Sequence, residues 1–164
     1  MILLRIPRTA GRYFCFCMIF SKSFGYALRG ILYVAIMTEE KHKIQLDEIA
    51  EKLTVPRYFL GKIMNRLVKD GILDSEKGHK GGFCINDKTI HTSLLSLVKI
   101  TGDNEMFDSC VLRLRKCTSV NPCPLHHEIE TLRNQWHTLL TETTVSDLLK
   151  KDQPDFIKSI ATIS

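Results

Sequence analysis

The sequence predicts a mostly α-helical fold with a small β wing: a winged helix-turn-helix head followed by a long C-terminal helix. Three observations predict it. Two short apolar-periodic segments meet at the breaker TVP. A glycine-rich GHKGG separates two short strand-like runs. A further amphipathic stretch runs from Pro124 to about Thr143.

The elements follow in chain order. Residues 1–17 carry Arg5, Pro7, Arg8 and Arg12 inside their apolar stretch and offer no small-residue cleavage site. They read as an extension outside the fold rather than a signal peptide. Ser21 is a candidate N-cap for a helix marked by Tyr26, Leu28, Ile31, Leu32, Ala35 and Ile36, lasting to about Thr38. The polar EEKHK makes a loop. IQLDEIAEKL is then a short helix with Leu46, Ile49, Ala50 and Leu53 inward. Pro56 suits the first turn of the next helix, which buries Leu60, Ile63, Met64, Leu67 and Val68 and stops at Gly71.

Two short helices joined by a tight turn form a helix-turn-helix. The second leaves Arg57, Tyr58, Lys62, Asn65, Arg66 and Lys69 outward, although a merely solvated basic face fits the same periodicity. The strand-like ILDSEK and FCIN that follow complete a winged helix. Gly78, Gly81 and Gly82 are expected to supply positive φ at the wing's turn, with Lys77, His79 and Lys80 at its tip. No phosphate-loop pattern is present in these glycines. TSLLSLVKITG is a short helix ended by Gly102, so residues 18–102 are expected to form a winged helix-turn-helix domain of the DNA-binding kind.

Residues 103–123 lack strong periodicity and hold three cysteines, Cys110, Cys117 and Cys123. In the helix after them, Leu125, Ile129, Leu132, Trp136, Leu139 and Thr143 recur at gaps of four and three. Twenty residues make about 30 Å of helix, too long to hide that stripe against the head alone. A second copy of the chain is the expected cover, with Leu125, Ile129, Leu132, Trp136 and Leu139 at a homodimer interface. VSDLLKK adds a closing helix to complete residues 124–150, and residues 151–164 read as a loose tail.

Composition narrows the functional classes. The 164-residue chain is 44% hydrophobic and 25% charged, ordinary globular values. Its net charge of +5 owes three charges to Arg5, Arg8 and Arg12, leaving 20 basic against 18 acidic residues from Met18 onward. Local charge distribution, rather than the total, must therefore point to nucleic acid. No apolar run reaches transmembrane length, and six cysteines spread without a framework suit a reducing cytoplasm, where clustered thiols hold metal or do redox chemistry. No Ser/His/Asp set, paired-carboxylate pocket or nucleotide loop suggests an enzyme.

MIFSKSFGYALRGILYVA, LDEIAEKLTVPRYFLGKIMNRLVKDGILDSEKGHKGGF, the three-cysteine loop, the long helix and TTVSDLL together resemble the IscR/NsrR-type (Rrf-two) family of bacterial transcription regulators. The resemblance runs from about Met18 to Leu149. It implies a homodimer that binds double-stranded promoter DNA, many members carrying an iron–sulfur cluster on three loop cysteines and a fourth ligand. Cys110, Cys117 and Cys123 match the cysteines, and His126 matches the histidine that follows the last of them. The gap between Cys110 and Cys117 is six residues, where the family usually has five or fewer, which leaves the exact cluster geometry open. Gly61 stands where a cluster-regulating relative has an acidic residue that tunes base choice, so that relative's site preference does not carry over.

A three-Cys, one-His set can hold zinc or an iron–sulfur cluster. The wide gaps, without Cys-x-x-Cys knuckles, favour a cluster, 2Fe–2S ahead of 4Fe–4S. Cys123 is expected at or near the helix N-cap with Pro124 in the first turn, so that Cys123 shares a helix face with His126 and with the alternative ligand His127. The helix's positive end favours the negative charge of a thiolate-ligated cluster, and Arg113, Arg115 and Lys116 add to it. His91 and His137 read as ordinary surface or interface residues, and Cys84 as a small buried hydrophobe.

The expected function is thus a transcriptional regulator whose promoter binding responds to a cluster or to redox state. Lys22, Arg57, Tyr58, Lys62, Arg66, Lys77, His79 and Lys80 are its expected DNA contacts. The rival readings are a regulator with zinc or redox-active thiols and no cluster, and an electron-transfer protein whose winged helix serves protein contacts.

Overall fold

The computed structural model describes residues 20–78, 81–103, 105–109, 112, 120 and 122–150, the side chain of Met106 apart. The 1–17 extension, the 151–164 tail, His79, Lys80, Cys110, Cys117 and the loop's Arg113, Arg115 and Lys116 lie outside the described residues.

Helix α1 (Lys22–Met37) starts where the sequence expects it. Ser21 is extended, and its side chain accepts from the Phe24 amide at 3.2 Å. Its inner face buries Phe24, Ala27, Ile31 and Val34, with Gly30 letting Met64 Sδ approach to 3.0 Å of where a Cβ would stand. Helices α2 (Leu46–Lys52) and α3 (Arg57–Lys69) form the helix-turn-helix. Both end in the same hydrogen-bond pattern. In α2 the Thr54 and Val55 amides bond to Glu51 and Ala50 carbonyls; in α3 the Gly71 and Ile72 amides bond to those of Val68 and Leu67. That Schellman pattern places the residue after the cap in the left-handed region, Gly71 at φ +71° and Thr54 at φ +53°.

The wing is an antiparallel hairpin of β1 (Leu73–Glu76) and β2 (Gly82–Ile85), with Asp74 opposite Cys84 and Glu76 opposite Gly82. Ile44 joins its outer side, exchanging two backbone bonds of 2.9 Å with Phe83. Ile44 is therefore a sheet residue, not the start of the second helix. The wing glycines also divide their work differently from expectation. Gly78 has φ +115°, whereas Gly81 and Gly82 are required for close approach. A Cβ on Gly81 would stand 2.2 Å from the Glu76 carbonyl oxygen, and one on Gly82 would stand 2.6 Å from that of Ile44.

Beyond the wing, α4 (Asp87–His91) opens with a capping box between Asn86 and Thr89, and α5 (Leu94–Thr101) ends at left-handed Gly102. The single turn α6 (Glu105–Asp108) leads toward the cysteines. The long helix α7 (His126–Glu142) packs on α5, and α8 (Val145–Lys150) closes against α4 behind a Thr144/Asp147 capping box. The junction between these last helices is pinned by Leu94 N–H to Thr143 O and Val145 N–H to Thr92 O.

One core joins α1, α2, α3, α5 and the wing through Ile31, Ile49, Leu60, Met64, Leu67, Leu73 and Leu97, all nearly inaccessible. Truncating any of these leucines or isoleucines to Ala would cost about 2–5 kcal/mol. Val68, expected inside, is half-buried, as is Cys84. The outward face of α3 is thereby held rigidly against the rest of the head.

Candidate nucleic-acid face and cysteine–histidine site

Arg57, Tyr58, Lys62, Asn65, Arg66 and Lys69 all lie exposed on α3. Tyr58 is 75% exposed, and Lys62 Nζ sits 4.4 Å above its ring centre, a cation–π contact that steadies both. Arg57, the first residue of α3, donates through Nε to Oδ1 of Asp47 on α2. The next residue but one, Phe59, turns to α1, meeting the Tyr26 ring edge-to-face at 5.7 Å. Lys22 is exposed one turn before Tyr26, at the start of α1.

Between α3 and the wing is a cleft lined by Asp47, Arg57, Asn65, Glu76, Lys77 and the wing glycines. Its charged walls balance, two cations against two anions, and Glu76 additionally pairs with Lys43. Gly61, in contrast, is buried, with Leu46 Cδ2 3.1 Å from where a Cβ would be. It serves the α2–α3 contact, and a larger side chain there would have to move Leu46.

Cys123 is half-buried and precedes α7. The helix begins later than the sequence expects. Its N-cap is Leu125, with no side-chain cap, and His126 is its first residue. The reason is a tight turn, in which the His126 amide bonds to the Cys123 carbonyl at 2.9 Å across Pro124 and Leu125. Cys123 and His126 are therefore neighbours through a turn rather than through a helix face.

The two histidines differ sharply. His126 is 3% exposed, with Nε2 3.7 Å from Glu130 Oε2, while His127 is exposed, its ring meeting that of His126 edge-on at 5.4 Å. A small cleft beside His126 is lined by Phe107, Glu130, Arg133, Asn134 and His137. Arg133 donates to the Ser109 carbonyl, which ties the residue preceding Cys110 to α7 two turns beyond His126. Cys123 and His126 are of the donor types that a thiolate-rich metal group takes, held one tight turn apart. Among the described residues no group of three such ligands occurs; Cys110 and Cys117 lie outside those residues.

Along α7, Leu125, Leu132 and Leu139 are 45%, 51% and 52% exposed, seven residues apart. Ile129 and Trp136 are half-buried, and Trp136 stacks edge-on against Phe20 at 5.5 Å. Leu140, unremarked in the sequence, is the residue of α7 that enters the core.

Comparison with known proteins decides the family. The model of the Rrf2 family, described as iron-dependent transcriptional regulators, matches residues 20–151. The chain belongs to the Rrf2 family. It is 33% identical over 138 residues to a helix-turn-helix-type transcriptional regulator of Aquifex aeolicus, covering 83% of this chain and 94% of that one. It is also 28% identical to the regulator NsrR of Shouchella clausii, over 76% and 83% of the two chains. Among solved structures, CymR of B. subtilis superposes with a TM-score of 0.66 at 17% identity, covering 82% and 98%. IscR of T. potens gives 0.62 at 17% identity, covering 83% of this chain and 89% of that one.

This Rrf2 chain is thus a transcriptional regulator, a non-enzymatic role, with a winged-helix fold and DNA as the partner that membership implies. No helix among its described residues is long and apolar enough to cross a membrane. Sequence reasoning found the outward residues of α3 and missed the Asp47 partner of Arg57, because that pair joins two helices. It also missed α4, although Asn86 and Thr89 at capping-box spacing were a local signal for it.

Proposed function

We propose that this Rrf2 regulator binds promoter DNA as a homodimer, and that an iron–sulfur cluster held by Cys110, Cys117, Cys123 and His126 modulates the binding. The observation that carries the DNA contact is the outward cationic row of α3, which shares a cleft with the wing. In this reading α3 enters the major groove, Arg57, Tyr58, Lys62 and Arg66 meet bases and backbone, and Lys77, His79 and Lys80 reach the flanking groove. The exposed heptad Leu125, Leu132 and Leu139 supports a partner helix from a second copy.

The cluster reading is supported by the family's iron-dependent description, by the NsrR relative and by the Cys123–His126 turn. Burial of His126 favours it over His127 as the fourth ligand, because a resident group shielded from water needs an inward donor. The cluster would supply a redox- and iron-sensitive charge at the start of α7, the 2Fe–2S form preferred. The chain's own part is to hold the thiols and imidazole beside the helix on which two copies meet.

A second reading is favoured by the structural likeness to CymR, including an oxidised form from Staphylococcus aureus at TM-score 0.63. In this second reading the cysteines of this chain act as redox-active thiols, or hold zinc, without a cluster. Anaerobic purification with visible absorption and iron, sulfide and zinc analysis separates the two. A coloured protein with matched iron and sulfide supports the cluster; a colourless one with stoichiometric zinc, or with no metal, sinks it.

A further inference from the structure

We infer that Asp47 is a specificity-determining positioning residue of the DNA-binding face, aiming Arg57 at a guanine edge. The inference rests on the DNA-binding reading of α3 and names the device that would read a base there.

The contact is made through Nε of Arg57 and one carboxylate oxygen of Asp47. A guanidinium has five N–H donors in a fixed plane, so engaging Nε leaves the two terminal nitrogens as an outward fork. A fork of that kind matches the O6 and N7 acceptors of guanine, and a flexible arginine matches them only after losing its rotamer freedom. Asp47 is placed to remove that freedom before DNA arrives.

The surroundings agree. Arg57 is the first residue of α3, whose N-terminal end is positive and whose first turn carries no acid of its own. Asp47 sits in the first turn of α2, where its charge is favoured, and it faces Arg57 across the turn between the helices. Both side chains are about two-thirds exposed, at 65% and 66%, so the pair itself adds little to stability. Its position is the informative part: both residues line the cleft between α3 and the wing. A carboxylate there also repels phosphates, which weakens attachment to DNA lacking the guanine that Arg57 would read.

The test uses the full chain. DNA bound by the wild-type protein is first selected from genomic fragments. Affinities are then measured across a salt series for the selected site, its single-base variants and a random duplex. The proteins are wild type, Asp47→Ala, Asp47→Asn, Arg57→Lys and the double variant Asp47→Ala/Arg57→Lys. Asp47→Ala is expected to lower discrimination at one G·C pair by at least about fivefold, with random-duplex binding unchanged or tighter. Asp47→Asn, which keeps an acceptor oxygen and loses the charge, should fall between. In the Arg57→Lys background, which lacks Nε and the fork, the Asp47→Ala change should have no effect on discrimination.

Equal losses on selected and random DNA overturn the inference, as does unchanged discrimination. An Asp47 effect that persists without the Arg57 fork overturns it too. A wild-type protein that selects no DNA overturns the DNA-binding reading and this inference with it, an outcome distinct from the others.

Discussion

Ser21 and Asp103 lie 82 positions apart in the chain, and the Ser21 hydroxyl donates to the Asp103 carboxylate at 2.8 Å. The same carboxylate oxygen accepts from Thr101 Oγ1 at 3.0 Å, while the Asp103 amide closes the end of α5 on Val98. Ser21 is also the N-cap of α1 and is followed by Lys22, an expected phosphate contact. One carboxylate therefore joins the first turn of the DNA-binding head to the point where the chain leaves for the cysteine region.

Asp103→Ala removes the acceptor from both hydroxyls. We expect a loss of about 1–2 kcal/mol in thermal or denaturant unfolding, the usual size for hydrogen bonds to a partly exposed charged group. If the cysteine region acts on the head through this link, the variant should also narrow the difference in DNA affinity between metal-loaded and metal-free protein. A difference of wild-type size in a destabilised variant would leave Asp103 with a structural role alone.

Thr54 stands in the left-handed region at φ +53°, where α3 has Gly71 in the equivalent position. A β-branched residue there costs about 1–2 kcal/mol of backbone strain, and glycine returns part of the gain through its freer unfolded chain. Thr54→Gly should therefore stabilise by about 0.5–1 kcal/mol, raising Tm by a few degrees. Thr54→Ala should not match it. A drop in Tm for the glycine variant would show that the Thr54 side chain contributes more than its strain costs.

Which features could be read from sequence follows from the range of the interactions behind them. Ser21, the faces of α1 and α3, and the stop at Gly71 are set by residues within one turn of each other, so periodicity and capping disclose them. Ile44 joins the wing because Phe83 is there to receive it, and nothing near Ile44 announces that. Gly81 and Gly82 were legible as glycines, yet their reason is the carbonyls of Glu76 and Ile44 rather than their own φ. The start of α7 slipped from Pro124 to His126 because a local turn to Cys123 outcompeted the proline's helix-starting geometry. His126 is buried and His127 exposed, a difference set by tertiary packing, so spacing alone left the two equivalent.

The exposed heptad of α7 makes the proposed dimer testable. Placing a charge at Leu132 puts a carboxylate in the middle of the stripe while leaving the Leu140 anchor in the core. Leu132→Asp should yield a monomer by light scattering, with unchanged helical circular dichroism and weakened DNA binding. Full burial of each leucine is worth about 1.5–3 kcal/mol, so half-exposed ones contribute about half of that per chain. A dimer that survives the substitution would place its interface elsewhere.

Tyr33 gives a pH dependence with a definite sign. Its ring is buried, its hydroxyl donates to Glu48 at 3.2 Å, and burial first, then the charge and hydrogen bond of Glu48 and the charge of Glu40, push its pKa up to about 12. Lys41 pairs with the same Glu48 oxygen at 2.9 Å, which keeps that carboxylate in place. The folded protein holds the phenol proton more tightly than the unfolded chain, whose value is near 10. The associated stability is complete below pH 10 and is lost as pH rises from 10 toward 12, with a size on the order of 2 kcal/mol. Tyr33→Phe should therefore flatten the fall in stability across that window, and tyrosinate absorbance of the wild type should show one tyrosine titrating late. Equal alkaline slopes for the two proteins would mean that the hydroxyl ionises in the fold as freely as in the unfolded chain.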